Sequence, residues 1–263
     1  MQAATAQREL WLRQYHPGPD DGPVLVCFPH AGGSATAFRP LSADLSAHTA
    51  VRCVQYPGRQ DRYTEAPATR LGALADAVSA VLAAETGRPL VLYGHSMGAL
   101  VAYETALRLQ ERHPGAAPVG LVVSGAQAPG VPRTDCVHRR DDDGVIEEIR
   151  KLNGTAPELL ADPDVRAMIL PAVRGDYEAL ESYRFRPEAP RLDCPVSVLI
   201  GTEDTQTTQD GALRWQEITA AGFGLRSFPG GHFFTESHRP QVAAALTDDI
   251  RSFTSETEIR SFR

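Results

Sequence analysis

Short apolar runs rich in β-branched residues alternate along this chain with longer segments in which apolar residues recur at three- and four-residue steps. Such alternation is typical of a parallel sheet covered by helices. The runs are apolar almost throughout, as expected for strands that are buried on both faces. The strand candidates are Val24–Phe28, Val51–Tyr56, Leu90–Tyr93, Val119–Ser124, Val196–Ile200 and Gly224–Phe228. The pattern predicts an α/β fold with a mostly parallel central sheet flanked by helices.

One stretch breaks the alternation, between the fourth and fifth strand candidates. It contains the helical patterns Val145–Leu152 and Val165–Tyr183, the second with a kink predicted at Pro171. An insertion of this length is too long for a connection and too apolar for a linker. It forms either extra packing helices or a lid over the carboxyl ends of the strands, where open α/β sheets bind ligands. Position and length favour a helical lid subdomain at about 127–192, inserted into a single domain over residues 1–263.

Charge and composition exclude several classes of function. Asp and Glu (33) outnumber Lys and Arg (26), giving a formal net charge of −7. A duplex-binding protein carries the opposite excess, so we expect no nucleic-acid partner. No run approaches the roughly 20 apolar residues of a membrane span, and the first residues lack the apolar core of a signal peptide. We therefore expect a cytoplasmic protein without membrane attachment, and a monomer, because no long exposed apolar stripe indicates an obligate dimer.

The four cysteines are scattered and show no Cys-x-x-Cys spacing. Cys27 and Cys53 lie inside runs predicted as buried strands. This placement favours reduced thiols in the core over disulfides or a zinc site. We expect no metal site.

The sharpest motif is Gly-His-Ser-Met-Gly at residues 94–98, which fits Gly-x-Ser-x-Gly. The motif follows the strand candidate Leu90–Tyr93 directly and precedes a helix predicted to start near Ala99. A serine in this context lies on a strained strand-to-helix turn with its hydroxyl exposed above the sheet. The alternative is a Gly-Ser loop that caps a helix. The strand–turn–helix context favours Ser96 as a nucleophile.

A serine hydroxyl needs a base to take its proton and a third group to orient that base. On this fold the order along the chain is Ser, then Asp or Glu, then His. Asp204 follows the fifth strand candidate and His232 follows the sixth, so we predict these two as the orienting acid and the base. Glu203 is expected to point elsewhere, and Asp210 is expected to cap a helix.

The fourth element of such a site is an oxyanion hole, which stabilises the charge of the tetrahedral intermediate. We predict the backbone N–H of Met97 as one donor and that of Ala31 as the other. Ala31 lies in the Phe-Pro-His-Ala-Gly-Gly loop that follows the first strand candidate. His30 in the same loop is either a second candidate base or a residue that holds the loop, and the loop context favours the second role.

Four landmarks together resemble the type II thioesterases that accompany modular polyketide and nonribosomal peptide synthases, which have the α/β-hydrolase fold. They are the Phe-Pro-His-Ala-Gly-Gly loop, Tyr-Pro-Gly-Arg at Tyr56–Arg59, Gly-His-Ser-Met-Gly, and Gly-Gly-His-Phe-Phe around His232. The landmarks span nearly the whole chain, from about Val24 to Phe234. The resemblance therefore concerns the entire domain and not the serine motif alone.

The resemblance implies a substrate held as a thioester on the phosphopantetheine arm of an acyl or peptidyl carrier protein of a modular synthase. Ser96 would form an acyl-enzyme and His232 would then activate water, without any cofactor of the protein's own. The implied task is editing, in which carrier domains blocked by aberrant acyl units are released. Transfer of the acyl group to an acceptor other than water stays open within this mechanism.

Docking raises an electrostatic question, because carrier domains are generally acidic and this chain is acidic too. A local basic patch on the predicted lid could solve it, or the same charges could be solvated and countered by the acids Asp141–Asp143. The basic residues are Arg133, Arg139, Arg140, Arg150 and Lys151.

Two other functions fit the same residues. One is an esterase or lactonase that uses the triad on free small-molecule esters. The other is a non-catalytic binding protein that keeps the hydrolase fold, against which the presence of all three triad residues argues.

Overall fold

The computed structural model describes residues 2–84, 87–133, 136–152 and 157–261. Within these ranges a seven-stranded sheet has the order β1-β3-β2-β4-β5-β6-β7. The strand β1 pairs antiparallel with β3, and all other neighbours pair in parallel. The strands are β1 Leu12–Arg13, β2 Val24–Phe28, β3 Ala50–Val54, β4 Leu90–His95, β5 Gly120–Ser124, β6 Val196–Gly201 and β7 Phe223–Phe228.

Ten α-helices of the described residues accompany the sheet. They are α1 Gln2–Trp11, α2 Arg39–Leu45, α3 Leu71–Leu82, α4 Met97–Arg112, α5 Asp142–Lys151, α6 Pro157–Ala161, α7 Pro163–Ser182, α8 Gln209–Leu213, α9 Phe234–Ser237 and α10 Arg239–Ser261. Short 3₁₀ turns lie at Ala35–Phe38, Gln60–Arg62, Pro114–Ala116, Val137–Arg139 and Arg214–Ile218. None of the helices in the described part of the chain is both long and apolar enough to cross a membrane.

The predicted mostly parallel sheet is confirmed, with all six strand candidates present and their ends shifted by two residues or fewer. The sequence pattern missed β1. This strand has only two residues, Leu12 and Arg13, which is too short for any periodicity, and it joins the sheet by pairing with β3.

Alternate residues of each central strand point to opposite faces of the sheet, so the fold has two hydrophobic layers. In β2, Val24, Val26 and Phe28 pack in the layer that also holds residues of α3 and α4. Leu25 and Cys27 of the same strand face the layer formed with α2 and α10. A sheet sandwiched in this way presents its loops at the carboxyl ends of the strands.

Between β5 and β6 the described elements are helical, as predicted. We call Val137–Ser182 the helical insertion. Helix α5 starts at an N-cap, Asp141, whose side chain accepts from the Gly144 N–H, and α7 starts after the N-cap Asp162. Pro171 lies inside α7 without ending it. Of the predicted lid at 127–192, residues 134, 135 and 153–156 lie outside the described residues.

The helical insertion has a small hydrophobic cluster of its own, separate from the two layers on the sheet. This cluster, which we call the insertion cluster, consists of Val137, Val145, Ile146, Leu160, Leu170 and Val173. By contrast, Ala179 and Leu180 near the end of α7 belong to the main core. The insertion is thus packed on itself at one end and on the sheet at the other.

Candidate active site

Ser96 lies at the turn between β4 and α4, where its backbone has φ 55° and ψ −118°. This conformation is strained for a residue with a side chain and is typical of functional turns. The flanking glycines make the turn possible. A Cβ at Gly94 would lie 2.2 Å from the carbonyl oxygen of Gly98, and a Cβ at Gly98 would lie 2.0 Å from that of Phe28. Larger residues would push α4 away from the sheet.

The three residues predicted as nucleophile, base and acid are brought together in the structure. The Nε2 atom of His232 lies 3.0 Å from the Oγ of Ser96. The Nδ1 atom of the same ring lies 3.0 and 3.1 Å from the two carboxylate oxygens of Asp204. The His232 side chain is 5% exposed and that of Asp204 is fully buried. This is the arrangement required for a base-activated serine.

Asp204 is held on the loop after β6 by its own backbone and by the loop that carries His232. The Gln206 N–H donates to its Oδ1 at 2.8 Å, and a Cβ at Gly201 would lie 2.5 Å from the carbonyl oxygen of Gly231. Burial by itself raises the pKa of Asp204. The hydrogen bond and charge of His232, with the Gln206 N–H, outweigh it and leave the pKa below its ordinary value. The carboxylate is therefore charged at neutral pH.

The two competing acids lie elsewhere. Glu203 is exposed. Asp210 lies in the first turn of α8, whose N-cap is Thr208. The expectation that Asp210 caps this helix was therefore wrong, because the Thr208 hydroxyl already accepts from the Gly211 N–H.

Two further histidines surround the His232 ring. The ring of His95 lies 5.1 Å from it, between centroids, and its Nδ1 is 2.8 Å from the Oγ of Ser124. Burial, with the charges of His232 and His30, lowers the pKa of His95 well below its usual range. Burial, with the charges of His232 and Arg59, lowers the pKa of His30 to about 4. Both rings are neutral at pH 7.

His30 packs as a loop residue. Its ring contacts Phe233 edge-on at 4.8 Å between centroids. A Cβ at Gly33 would lie 2.9 Å from its Cε1, and its carbonyl accepts from the Gly33 N–H at 2.9 Å. These contacts support the interpretation that His30 holds the loop.

The two predicted oxyanion-hole residues follow the carboxyl ends of β2 and β4, which are neighbouring strands of the sheet. Met97 is the first residue of α4. We call Pro29–Gly33, which contains Ala31, the β2 loop. It packs directly on the nucleophile turn, because a Cβ at Gly98 would also lie 2.7 Å from the carbonyl oxygen of Pro29. The β2 loop therefore packs on the first turn of α4, which begins one residue after Ser96.

The sequence interpretation missed a buried ion pair beside this loop. Asp176 of α7 binds Arg59 with both carboxylate oxygens, at 2.6 and 2.8 Å. Its Oδ2 also accepts from the Gly32 N–H at 2.7 Å. The one sign in the sequence was an acid on the apolar face of α7, between Val173 and Leu180, but such an acid does not reveal its partner.

Arg140, Arg150 and Lys151, from the set considered as a docking patch, form ion pairs with acids. Their partners are Glu147 and Glu148 of α5, whereas the alternative of solvated charges named Asp141–Asp143. The pairs are Arg140–Glu148 at 2.9 Å, Arg150–Glu147 at 2.8 Å and Lys151–Glu148 at 3.8 Å. Arg133 and Arg139 are exposed. In the described part of the chain, no group of three or more His, Cys, Asp or Glu residues could hold a metal ion.

Comparison with known proteins finds similar proteins over most of the chain. The model of the thioesterase domain family matches residues 23–250. A probable cadicidin biosynthesis thioesterase of Streptomyces griseus is 46% identical over 243 residues, which is 91% of this chain and 66% of that protein. Thioesterase PikA5 of Streptomyces venezuelae is 41% identical over 92% of this chain and 85% of its own length. The type II thioesterase BorB from the borrelidin biosynthetic cluster superposes with a TM-score of 0.85 at 42% identity, over 92% of this chain and 98% of that one.

Proposed function

The chain belongs to the thioesterase family, and from that premise we propose that it hydrolyses acyl thioesters held on the phosphopantetheine arm of carrier proteins in polyketide or nonribosomal peptide synthesis. The observation that carries the proposal is the continuous contact from Ser96 through His232 to Asp204. We further propose that the enzyme edits, releasing carrier domains from aberrant acyl units.

In the proposed reaction the Oγ of Ser96 attacks the thioester carbonyl while its proton passes to the Nε2 of His232. Asp204 accepts the Nδ1–H of His232 and stabilises the imidazolium. The pantetheine thiol then leaves with the proton from Nε2. Water attacks the acyl-enzyme with His232 again as the base, and the free acid departs. Because His30 and His95 are neutral, neither ring adds a positive charge beside the imidazolium.

The negative oxygen of the tetrahedral intermediate would be stabilised by the N–H groups of Met97 and Ala31. Met97 is well suited, because it lies at the N-terminus of the sixteen-residue helix α4. Helix N-termini carry partial positive charge.

We propose that the helical insertion serves as the lid, within the segment expected at about 127–192. Its helix α7 lies directly on the loops around the site. A Cβ at Gly32 would lie 2.9 Å from the Cγ2 of Val173, and a Cβ at Gly175 would lie 2.9 Å from the Cβ of Pro67. These contacts support the proposal that α7 covers the β2 loop.

The proposed partner is an acidic carrier domain. Three exposed arginines, Arg133, Arg139 and Arg184, outnumber the acids Glu178 and Glu181 along one groove of about 800 Å³ between the segment after β5 and the end of α7. We propose this groove as the docking side, in place of the wider patch that Glu147 and Glu148 partly neutralise. The monomeric state and the cytoplasmic location stay predictions.

The decisive test compares one acyl group on a carrier protein and on a short pantetheine mimic. The wild type should hydrolyse the carrier-bound thioester faster, and Ser96→Ala should hydrolyse neither. Equal rates on a simple soluble oxygen ester would favour an esterase, and full biological effect of Ser96→Ala would favour a binding protein.

A charge-reversal pair tests the docking side. Arg139→Glu with Arg184→Glu should lower kcat/KM for the carrier-bound thioester about tenfold, because long-range attraction to an acidic partner is lost. The rate on the pantetheine mimic should stay unchanged. Arg251→Glu on α10 is the matched control, and an equal loss in that variant would contradict the proposed side.

A further inference from the structure

We propose that Asp176, although it belongs to the helical insertion, is a positioning residue for the oxyanion hole, which it holds together with Arg59 through the β2 loop. The inference rests on the proposed attack of Ser96 on an acyl carbonyl. The side chain of Asp176 hydrogen-bonds to Gly32 and Arg59 and not to the triad, so its role is one of positioning.

The contacts lie on either side of the two glycines of the β2 loop. The carboxylate of Asp176 accepts from the Gly32 N–H at 2.7 Å. The guanidinium of Arg59, bound to the same carboxylate, donates to the carbonyl oxygen of Gly33 at 3.0 Å. One buried anion and one buried cation therefore hold both sides of the Gly32–Gly33 segment. The Asp176 side chain is fully buried and that of Arg59 is 7% exposed.

Arg59 is itself fixed from the β3 side. Its Nε donates to the carbonyl oxygen of Pro57 at 3.2 Å, and its own carbonyl accepts from the side-chain amide of Gln55 at 3.3 Å. Gln55 also accepts from the Ala35 N–H at 3.1 Å, just beyond the β2 loop. The guanidinium of Arg59 is thus held in place from the β3 side, and Asp176 binds it and the β2 loop from the α7 side.

Such a pair is an unusual solution for stability alone. Burying two charges costs solvation that their attraction only partly offsets, and well-packed apolar residues often serve as well. Removing either partner leaves an uncompensated buried charge. A bidentate charged pair also fixes geometry, because its two hydrogen bonds set the orientation of the groups that they join.

The backbone of the β2 loop requires a fixed orientation of this kind. Gly32 has φ 75°, a left-handed conformation, and its N–H belongs to the peptide that follows Ala31. The bond from Gly32 to Asp176 fixes the plane of this peptide, and through it the backbone of Ala31. An oxyanion donor acts only when it is aimed at the place where charge develops. Loss of Asp176 should therefore weaken transition-state binding more than substrate binding.

The test uses an activated short-chain aryl ester, so that it does not depend on a carrier protein. Asp176→Ala should lower kcat about 10²-fold with KM changed less than threefold, as for loss of an oxyanion donor. Asp176→Asn keeps an oxygen for the Gly32 N–H but loses the charge that binds Arg59, and should fall between this variant and the wild type. An alkyl boronic acid, which forms a tetrahedral adduct with a serine, should lose affinity in the same order.

Glu104→Gln is the matched control. Glu104 is 6% exposed at its side chain and binds Arg108 at 2.5 Å within α4, away from the β2 loop. This variant should lose stability while keeping its kcat and its boronic acid affinity. A loss of kcat equal to that of Asp176→Ala would show that any broken buried pair has this effect, and would overturn the proposal.

The proposal is also overturned if Asp176→Ala keeps its kcat within threefold, or if Asp176→Asn fails to fold, since the pair would then hold the fold and not the loop. Absence of both ester hydrolysis and boronic acid binding in the wild type would overturn it as well. Failure of the wild type on carrier thioesters alone, with ester hydrolysis intact, would contradict the proposed function and leave the role of Asp176 standing.

Discussion

The sheet core and the helical insertion are built in different ways. The strands β2, β4, β5 and β6 are buried at every residue, and Ser96, Asp204 and His232 all follow such strands or their neighbour β7. The insertion packs on the insertion cluster, and Met168 in its longest helix is 51% exposed. The reacting groups are therefore anchored at the ends of fully buried strands, and such elements hold catalytic distances more precisely than mobile segments do.

Helix α7 contains both kinds of construction. It joins the insertion cluster through Leu170 and Val173, on either side of Pro171, and further along the helix Asp176 and Ala179 are buried. Proline removes one helical hydrogen bond and clashes with the preceding turn, so it weakens the helix locally. The second half of α7 is anchored through Asp176 to Arg59 and the β2 loop. We expect movement of the helical insertion in the first half of α7 and in α5.

The largest expected effect is on kcat and comes from a substitution in the triad. Asp204→Asn should lower kcat about 10⁴-fold, because the amide no longer holds the His232 ring in the productive tautomer. The measurement is single-turnover hydrolysis of a pantetheine thioester, and circular dichroism should remain that of the wild type. The neighbouring Glu203→Gln is the control and should keep its rate. A loss of less than tenfold in Asp204→Asn would mean that another acid orients the histidine.

A steric change in the same region should cost stability. Gly98→Ala places a Cβ against the Phe28 carbonyl oxygen and should lower the free energy of unfolding by about 3 kcal/mol. Gly224→Ala in β7, where a Cβ would meet no atom within 4 Å, should change it by less than about 0.5 kcal/mol. Urea denaturation measures both. Equal effects in the two variants would contradict the tight approach of α4 to β2.

A pair of cavity variants sharpens the contrast between core and insertion. Leu92→Ala, in β4, and Ile146→Ala, in α5, each remove a side chain that is 1% exposed or less. Leu92→Ala should destabilise the whole domain by about 3 kcal/mol. Ile146→Ala should cost about 2 kcal/mol and act locally, with faster amide exchange in the insertion and unchanged exchange in the strands. Uniformly faster exchange in Ile146→Ala would show that the two regions unfold as one unit.

The smallest expected effect is the dependence of the unfolding free energy on pH in the acidic range. The pKa of Asp204 is lower in the folded protein than its ordinary value, so its ionisation stabilises the native state. This contribution should be complete above about pH 4, the ordinary aspartate value, and should disappear as the pH falls through the lower folded pKa. The difference in unfolding free energy between wild type and Asp204→Asn should shrink over that range. A difference that grows with acid would contradict the assignment.

Much of this architecture could be predicted from the sequence, because its causes are local. A strand buried on both faces is a continuous apolar run, and the nucleophile turn needs glycines at Gly94 and Gly98, whose spacing is visible in the sequence. The chain order of acid and base also follows from the fold. By contrast, β1 is too short to carry a pattern and exists only because β3 offers it an edge.

Local patterns determined which residues belong to strands, helices and the serine turn, since each depends on neighbours a few positions away. The tertiary structure alone decided which charges meet. Arg59 and Asp176 are 117 positions apart. Arg140, Arg150 and Lys151 pair with Glu147 and Glu148, while Asp142 and Asp143 pair with Arg174 and Arg166 of α7. A charge carries no local mark of its partner, because its preferred contact depends on distance and burial in the folded chain.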